Sequence, residues 1–310
     1  MKVLITCPPM LGMIDNFRPI FERHGVELTT PGVVQTLSIE ELMQLVPQHD
    51  GWIIGDDPAT HEVFTAGKAG CLKAAVKWGV GVDNVDFTAC KELEIQIANT
   101  PNMFGNEVAD IAMGYVIALA RETFEIDLGV RAGEWPKPRG ISLADKVVAL
   151  VGFGDVGKAT AKRLLAAGMR VIVYDPNAQA EPRLSVERAV WPKHIEEADF
   201  IVITCSLTPA SRYMVNTVVL DIAKAGVRIV NVGRGPVICE PDLVAALQSG
   251  KVYSAALDVF EDEPLPLDSP LRQLPHCLFG SHNASNTVDA VERTSHAAIQ
   301  KLFSFLGVRS

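Results

Sequence analysis

Lys146-Val-Val-Ala-Leu-Val151 runs into Gly152-Phe153-Gly154-Asp155-Val156-Gly157, and the stretch continues through Lys158–Ala167 to Met169-Arg-Val-Ile-Val-Tyr174 and Asp175. A short apolar run reads as a buried parallel strand, the glycines as a tight turn and the next segment as a helix, so residues 146–175 form one βαβ unit. The glycines have separate tasks: Gly152 permits the turn, Gly154 lets a pyrophosphate approach the backbone, and Gly157 lets the helix pack closely on the strand. The helix amino terminus offers N–H groups and partial positive charge to phosphates, with Phe153, Asp155 and Val156 completing the loop. Asp175 lies near the ~20-residue spacing from the first glycine at which a carboxylate meets ribose hydroxyls, and it would repel a 2′-phosphate. No Arg or Lys follows before Arg183. NAD is therefore expected rather than NADP; the plainer alternative is a glycine turn that binds no nucleotide.

Working outward, residues 1–99 also alternate strands with helices. Strands are expected at Val3–Thr6, Val26–Thr29, Gly51–Ile54, Leu72–Lys77 and Ile95–Ala98, with helices at Phe17–Arg23, Ser38–Leu45, His61–Lys68 and Phe87–Glu92 between them. Ser38 and Glu41 have capping-box spacing. This pattern means a parallel sheet covered on both faces, and it lacks a glycine loop of its own. A long apolar helix follows at Glu107–Arg121, then a less regular stretch over 123–142. Beyond an exposed connection at Asn177–Arg188, strands are expected at Phe200–Cys205, Val227–Val232, Ser254–Val259 and Cys277–Gly280. Helices are expected at Asn216–Ala225, Glu240–Gln248 and Thr287–Leu306.

Composition bounds the function. The 310 residues suffice for two α/β domains, and 48% hydrophobic with 21% charged residues is ordinary for a soluble globular protein. A net charge of −9 without a basic run argues against a nucleic-acid partner. No apolar run has bilayer-spanning length, and the strand-like start at Lys2 leads to the expectation of a cytoplasmic protein. Six scattered cysteines and seven histidines without ligand spacing imply no metal and no disulfide framework.

Ligands of open parallel sheets bind beyond the carboxyl ends of the strands. Arg234 follows one strand in Asn231-Val-Gly-Arg-Gly-Pro236, Asp258 ends and Glu263 follows the next, and His282 follows the last. Singly, each has a plainer reading as a surface cation, solvated acids or a loop histidine. Together they suit hydride transfer to a carbonyl, which needs a proton donor and a cation to hold a substrate carboxylate and polarise the carbonyl.

The chain resembles the D-isomer-specific 2-hydroxyacid dehydrogenases. The motifs that carry the resemblance are Trp78-Gly-Val-Gly-Val-Asp-Asn84, Asn99-Thr-Pro-Asn-Met-Phe-Gly-Asn-Glu-Val-Ala-Asp110, the glycine loop with Asp175, Asn231-Val-Gly-Arg-Gly235, Ala256-Leu-Asp-Val-Phe-Glu-Asp-Glu-Pro264 and Ser281-His-Asn-Ala-Ser285. The resemblance implies an α/β fold of two lobes with a cleft between them. Residues 1–99 and 287–310 would form a discontinuous, flavodoxin-like substrate-binding domain, and residues 100–286 a Rossmann NAD-binding domain. It implies Arg234 on the substrate carboxylate and carbonyl, His282 as acid/base, Glu263 as its partner, and the backbone of Val80 and Gly81 as a second carboxylate clamp. Asp258 would meet the nicotinamide amide, and Ser206, Thr208, Val232 and Gly233 would wall the cofactor cleft. His276 is a decoy. A homodimer through the NAD-binding domain, using the Glu107–Arg121 helix, and a small 2-oxo or 2-hydroxy acid as substrate are expected. The alternatives are a non-enzymatic NAD(H)-sensing, corepressor-like binding protein and a formate or phosphite dehydrogenase relative.

Two departures bear on the substrate. Ser281 stands where the family usually has proline, which loosens the backbone before His282. Asp56 and Asp57 stand where an apolar residue often faces the pocket; Asp56 would suit a distal hydroxyl or amine, or is a solvent-facing acid. Trp78 lines the pocket or belongs to the core.

Overall fold

The structure is a computed structural model that describes residues 1–308. It divides into two compact units, Met1–Met103 with the segment from Asn286 onward, and Phe104–Ser285. The first unit runs β1 (Lys2–Ile5), α1 (Pro8–Leu11), α2 (Ile14–Arg23), β2 (Glu27–Thr29), α3 (Ile39–Leu45), β3 (Gly51–Ile54), α4 (His61–Ala69), β4 (Ala74–Lys77), α5 (Phe87–Glu92) and β5 (Gln96–Asn99). Its strands are parallel in the order β2-β1-β3-β4-β5. This is the flavodoxin-like winding, in which the chain reverses direction across the sheet between its first and third strands. The central strands β3 and β4 are buried throughout, as helices on both faces require. α3 opens on the expected capping box, with the Glu41 N–H on Ser38 Oγ and the Ser38 N–H on Glu41 Oε2.

The second unit runs α6 (Gly105–Arg121), α7 (Thr123–Arg131), β6 (Val147–Val151), α8 (Asp155–Ala166), β7 (Arg170–Tyr174), β8 (Glu187–Arg188), β9 (Phe200–Ile203), α9 (Thr217–Ile222), β10 (Val227–Asn231), α10 (Glu240–Gln248), β11 (Val252–Leu257) and β12 (Cys277–Phe279). All its pairs are parallel, in the order β12-β11-β10-β9-β6-β7-β8. Read from β8 to β11, this is the dinucleotide-binding order 3-2-1-4-5-6. α11 (Val288–Leu306) then packs within the first unit, where Phe303 meets Phe21 edge-on at 5.4 Å and Leu302 lies against Gly51. No helix of the described residues is long and apolar enough to cross a membrane.

Three elements escape the sequence pattern. α1 is one turn, begun by Pro8. β8 is two exposed residues inside the polar stretch 177–188, and its Glu187 pairs with Arg170 at 2.6 Å. In α7 the apolar residues Phe124, Ile126, Leu128 and Val130 fall at every second position, so no helical stripe forms and none of its residues is buried. Several expected elements shift at their ends: α2 begins at Ile14 and β4 at Ala74, β9 ends at Ile203, the helix expected to Ala225 ends at Ile222, and β11 ends at Leu257, which puts Asp258 just past the strand.

Just past β3, Asp57 is fully buried and accepts hydrogen bonds from the Leu37 N–H at 2.9 Å, the Gly55 N–H at 3.2 Å and the Thr6 hydroxyl. Thr6 in turn accepts the Trp52 indole N–H at 2.9 Å. Burial pushes the Asp57 carboxyl above its ordinary range, and the three donors oppose that shift. Asp57→Ala would strand two backbone donors in the interior. It should lower unfolding free energy by about 2–4 kcal/mol in urea titration, and an unchanged midpoint would contradict this account.

Candidate functional site

The glycine loop leaves β6 and enters α8. Gly152 sits at φ 96°, and a Cβ there would come within 2.7 Å of the backbone nitrogen of Cys205, just beyond β9. A Cβ on Gly157 would overlap the Gly152 carbonyl, so only glycine lets α8 come this close to the strand. Gly154 has open space where a side chain would stand, and no side chain caps the α8 amino terminus. Asp155, in the first turn, packs its carboxylate against Gly105, and Val156 accepts the Thr160 hydroxyl at its carbonyl. Asp175 follows β7 and holds the loop through the Phe153 N–H, 2.7 Å from Oδ2, while Oδ1 accepts the Asn177 N–H at 2.8 Å.

Beyond β9, Ser211 knots the next loop. Its hydroxyl donates to the Ser206 carbonyl at 2.8 Å and accepts the Thr208 N–H at 2.8 Å, and its N–H reaches Thr208 Oγ1. Burial, reinforced by Asp175, pushes the Cys205 thiol to about 11. Val232 is buried, and Gly233 approaches the Cys205 carbonyl so closely that a Cβ would stand 2.7 Å from it.

Strand register brings the later residues together. Asn231, Leu257 and Phe279 are aligned across β10, β11 and β12, and Arg234 and His282 each lie the same short distance beyond. Buried Asn231 accepts the Gly233 N–H and donates to the Arg234 carbonyl, both at 3.0 Å, so it shapes the loop from which the half-buried Arg234 projects. One Arg234 Nη donates to the Gly233 carbonyl at 3.0 Å.

His282 Nδ1 lies 2.7 Å from Glu263 Oε2, and both side chains are about one-fifth exposed. The other Glu263 oxygen accepts the Phe260 N–H at 2.9 Å. His282 is left-handed at φ 54°, and its N–H donates to the Asp258 carbonyl at 2.7 Å. The next two N–H groups, of Asn283 and Ala284, end on the Asp258 carboxylate at 3.2 and 2.9 Å. Asp258 therefore supplies the restraint that Ser281, in place of proline, does not. Burial raises the Asp258 carboxyl, against the pull of these N–H groups and of His282. Tyr115 of α6 lies close to the same carboxylate beside Gly280, and burial together with that charge raises its phenol.

Val80 and Gly81 belong to the first unit, on the exposed turn after β4. Their turn is fixed by the Gly79 N–H on Thr100 Oγ1 at 2.7 Å and by Asn99 on the Val80 carbonyl at 3.1 Å. Trp78 is a core residue, 6% exposed, with its indole N–H on Ser295 at 3.1 Å. Asp56 pairs at 2.9 Å with the ammonium of buried Lys77, which offsets its charge. His276 faces Glu125 at 3.5 Å and stacks on Tyr253, away from the Glu263 pair. Among the described residues, His194, Glu196 and Glu197 bring ligand atoms within 4.8 Å of one another, but Glu197 is already paired with Arg170 at 2.6 Å and with His194 at 2.9 Å. Sequence patterning assigns no site role to Asn231, Ser211 or Tyr115. Asn231 alone had a signal, its place inside the motif of Arg234.

Residues 113–284 match the family model described as D-isomer specific 2-hydroxyacid dehydrogenase, NAD binding domain. The hydroxypyruvate reductase of Thermotoga maritima is 37% identical over 295 residues, covering 93% of this chain and 94% of the relative. D-3-phosphoglycerate dehydrogenase 2, chloroplastic, of Arabidopsis thaliana is 38% identical over 83% of this chain but only 42% of its own length. The crystal structure of the TT0316 protein from Thermus thermophilus superposes with a TM-score of 0.88 at 30% identity, covering 100% of this chain and 98% of the other. The chain belongs to the D-isomer-specific 2-hydroxyacid dehydrogenases, an NAD-binding oxidoreductase family.

Proposed function

We propose that the protein reduces a small 2-oxo acid to its D-2-hydroxy acid with NADH, and that hydroxypyruvate is the substrate class to test first. The observation that carries this reading is the 2.7 Å contact between His282 Nδ1 and Glu263 Oε2 at the carboxyl edge of a dinucleotide-binding sheet. The similarity to a hydroxypyruvate reductase along nearly the full length of both chains supports the choice of substrate.

The glycine loop fits the cofactor: an uncapped helix amino terminus, open space over Gly154, and a carboxylate at the end of β7 are what a pyrophosphate and a ribose require. Gly152, Phe153, Gly154, Asp155, Val156 and Gly157 would hold the phosphates. Asp175 would hold the ribose and favour NAD over NADP. Ser206, Thr208, Val232, Gly233 and Asp258 would border the rest. When bound, the nicotinamide supplies the hydride for the carbonyl carbon.

The chain's own residues do the remaining work. Arg234 would bind the substrate carboxylate, and its fork would polarise the carbonyl. Because Glu263 accepts the Nδ1 proton, the proton passed to the carbonyl oxygen would leave from Nε2, and the carboxylate favours the imidazolium that donates it. His282→Ala should lower kcat for oxo-acid reduction by about 10²-fold or more while leaving NADH affinity unchanged by fluorescence titration; equal turnover would remove His282 from the mechanism. Arg234→Lys should raise KM for the oxo acid through loss of the bidentate fork. A panel of 2-oxo acids without turnover would favour the NAD(H)-sensing alternative.

We also propose a homodimer through the second unit. α7 buries none of its residues and exposes Phe124, Leu128 and Val130, while neighbouring α6 exposes Ile111 and Ile117. A run of exposed apolar side chains on adjacent helices fits a subunit interface. Leu128→Asp should convert the dimer to monomer in size-exclusion chromatography with light scattering, and a wild-type chain that elutes as a monomer would refute the proposal.

A further inference from the structure

Two acids in the loop after β11 point to opposite sides. Glu263 faces His282, and Glu261 faces the amino terminus of α10. Glu261 Oε1 accepts the Glu240 N–H at 2.6 Å, and the Glu261 N–H returns a bond to Glu240 Oε2 at 3.2 Å. Glu261 Oε2 accepts the Tyr213 hydroxyl at 2.9 Å. Tyr213 is itself anchored: its N–H donates to the Pro236 carbonyl at 2.8 Å, Arg212 stacks 4.6 Å over its ring, and an Arg212 Nη reaches the hydroxyl at 3.1 Å. These bonds bring two carboxylates onto one helix amino terminus, whose N–H groups and dipole stabilise them. Burial, with the Glu261 charge nearby, raises the Glu240 carboxyl.

The tie joins two of the segments that carry the proposed chemistry. Gly235, the residue after Arg234, lies so close to the Phe260 carbonyl that a Cβ would overlap it, and Glu240 follows a few residues later. Glu261 is the residue after Phe260, whose N–H holds the second oxygen of Glu263. The segment from Arg234 to Glu240 and the segment from Asp258 to Glu263 are thus clamped by backbone contact at Gly235 and by reciprocal hydrogen bonds at Glu240.

We propose that Glu261 is a positioning residue: through Glu240 and Tyr213 it locks the loop that aims Glu263 at His282 Nδ1. The proposal rests on the reading of Glu263 and His282 as a proton-transfer pair. Without the tie, Glu263 would lose its fixed approach to the imidazole. A more distant carboxylate favours the imidazolium less, so His282 would give up its proton at lower pH. Asp258 also faces His282, through its carbonyl and its charge, and Tyr115 stands beside Asp258. The Asp258 carboxylate is held by the Asn283 and Ala284 N–H groups rather than by the Glu261 tie.

The test is an NMR titration of the histidine ring signals in the full chain, with the His282 signal assigned by its loss in His282→Gln. Glu261→Ala should lower the His282 midpoint by about half a unit or more. It should also cut kcat for oxo-acid reduction about tenfold, as slight misplacement of a reacting group does, with NADH affinity unchanged. Tyr213→Phe removes a single hydrogen bond and should shift both readouts the same way by less, so it carries the test if Glu261→Ala fails to fold. A His282 midpoint equal to wild type in both variants would overturn the proposal. The titration needs no turnover, so an inactive wild type would refute the proposed function without deciding this one.

Discussion

Three successive N–H groups, of His282, Asn283 and Ala284, end on the single residue Asp258, the first on its carbonyl and the other two on its carboxylate. A buried carboxylate without donors is unfavourable by several kcal/mol, so it orders whatever chain can supply them. Here the donors come from the turn after β12, and the turn is held at the end of β11. The left-handed conformation of His282 persists because its neighbours are fixed on both sides. With β10, β11 and β12 parallel and in register, the same restraint brings the loops of Arg234, Glu263 and His282 out from one edge of the sheet.

Most of the fold was legible because the chain obeys one rule throughout: buried parallel strands read as short apolar runs, and the helices between them show a stripe or a cap. The parallel βαβ unit of β6, α8 and β7 was legible from the glycine loop and its trailing acid. Elements that bury nothing were illegible for the same reason. α7 has apolar residues at a two-residue period, and β8 is a polar pair whose pairing depends on Arg170, far from it in sequence. Hydrophobic patterning reports burial in the unit's own core, and it is silent about elements that lie outside that core.

The candidate site was legible to a lesser depth. Arg234, Glu263 and His282 were visible because each is a chemically distinctive residue placed after a strand, and Glu263 and His282 are in contact. What the sequence could not display was the support beneath them. Asn231 and Ser211 are ordinary polar residues whose importance comes from burial and from the backbone groups they face. Asp258 was visible for a different role, toward the nicotinamide, and its two N–H partners emerge only once β11 and β12 are aligned. Acids of one sign crowded into 258–263 look like a solvated loop until their separate donors are seen.

In the first unit the same limit had the opposite effect, since two acids that looked equivalent in sequence are not. Asp57 is a structural acceptor with three donors and no exposure, and Asp56 is half-exposed and paired with a buried lysine. A lone carboxylate there would repel a phosphorylated acid. A carboxylate beside an ammonium is closer to a dipole, and its field falls off more steeply with distance. Any preference exerted by Asp56 therefore depends on short-range hydrogen bonding rather than on net charge, and Lys77, which no motif singled out, has as much part in it as the acid that drew attention.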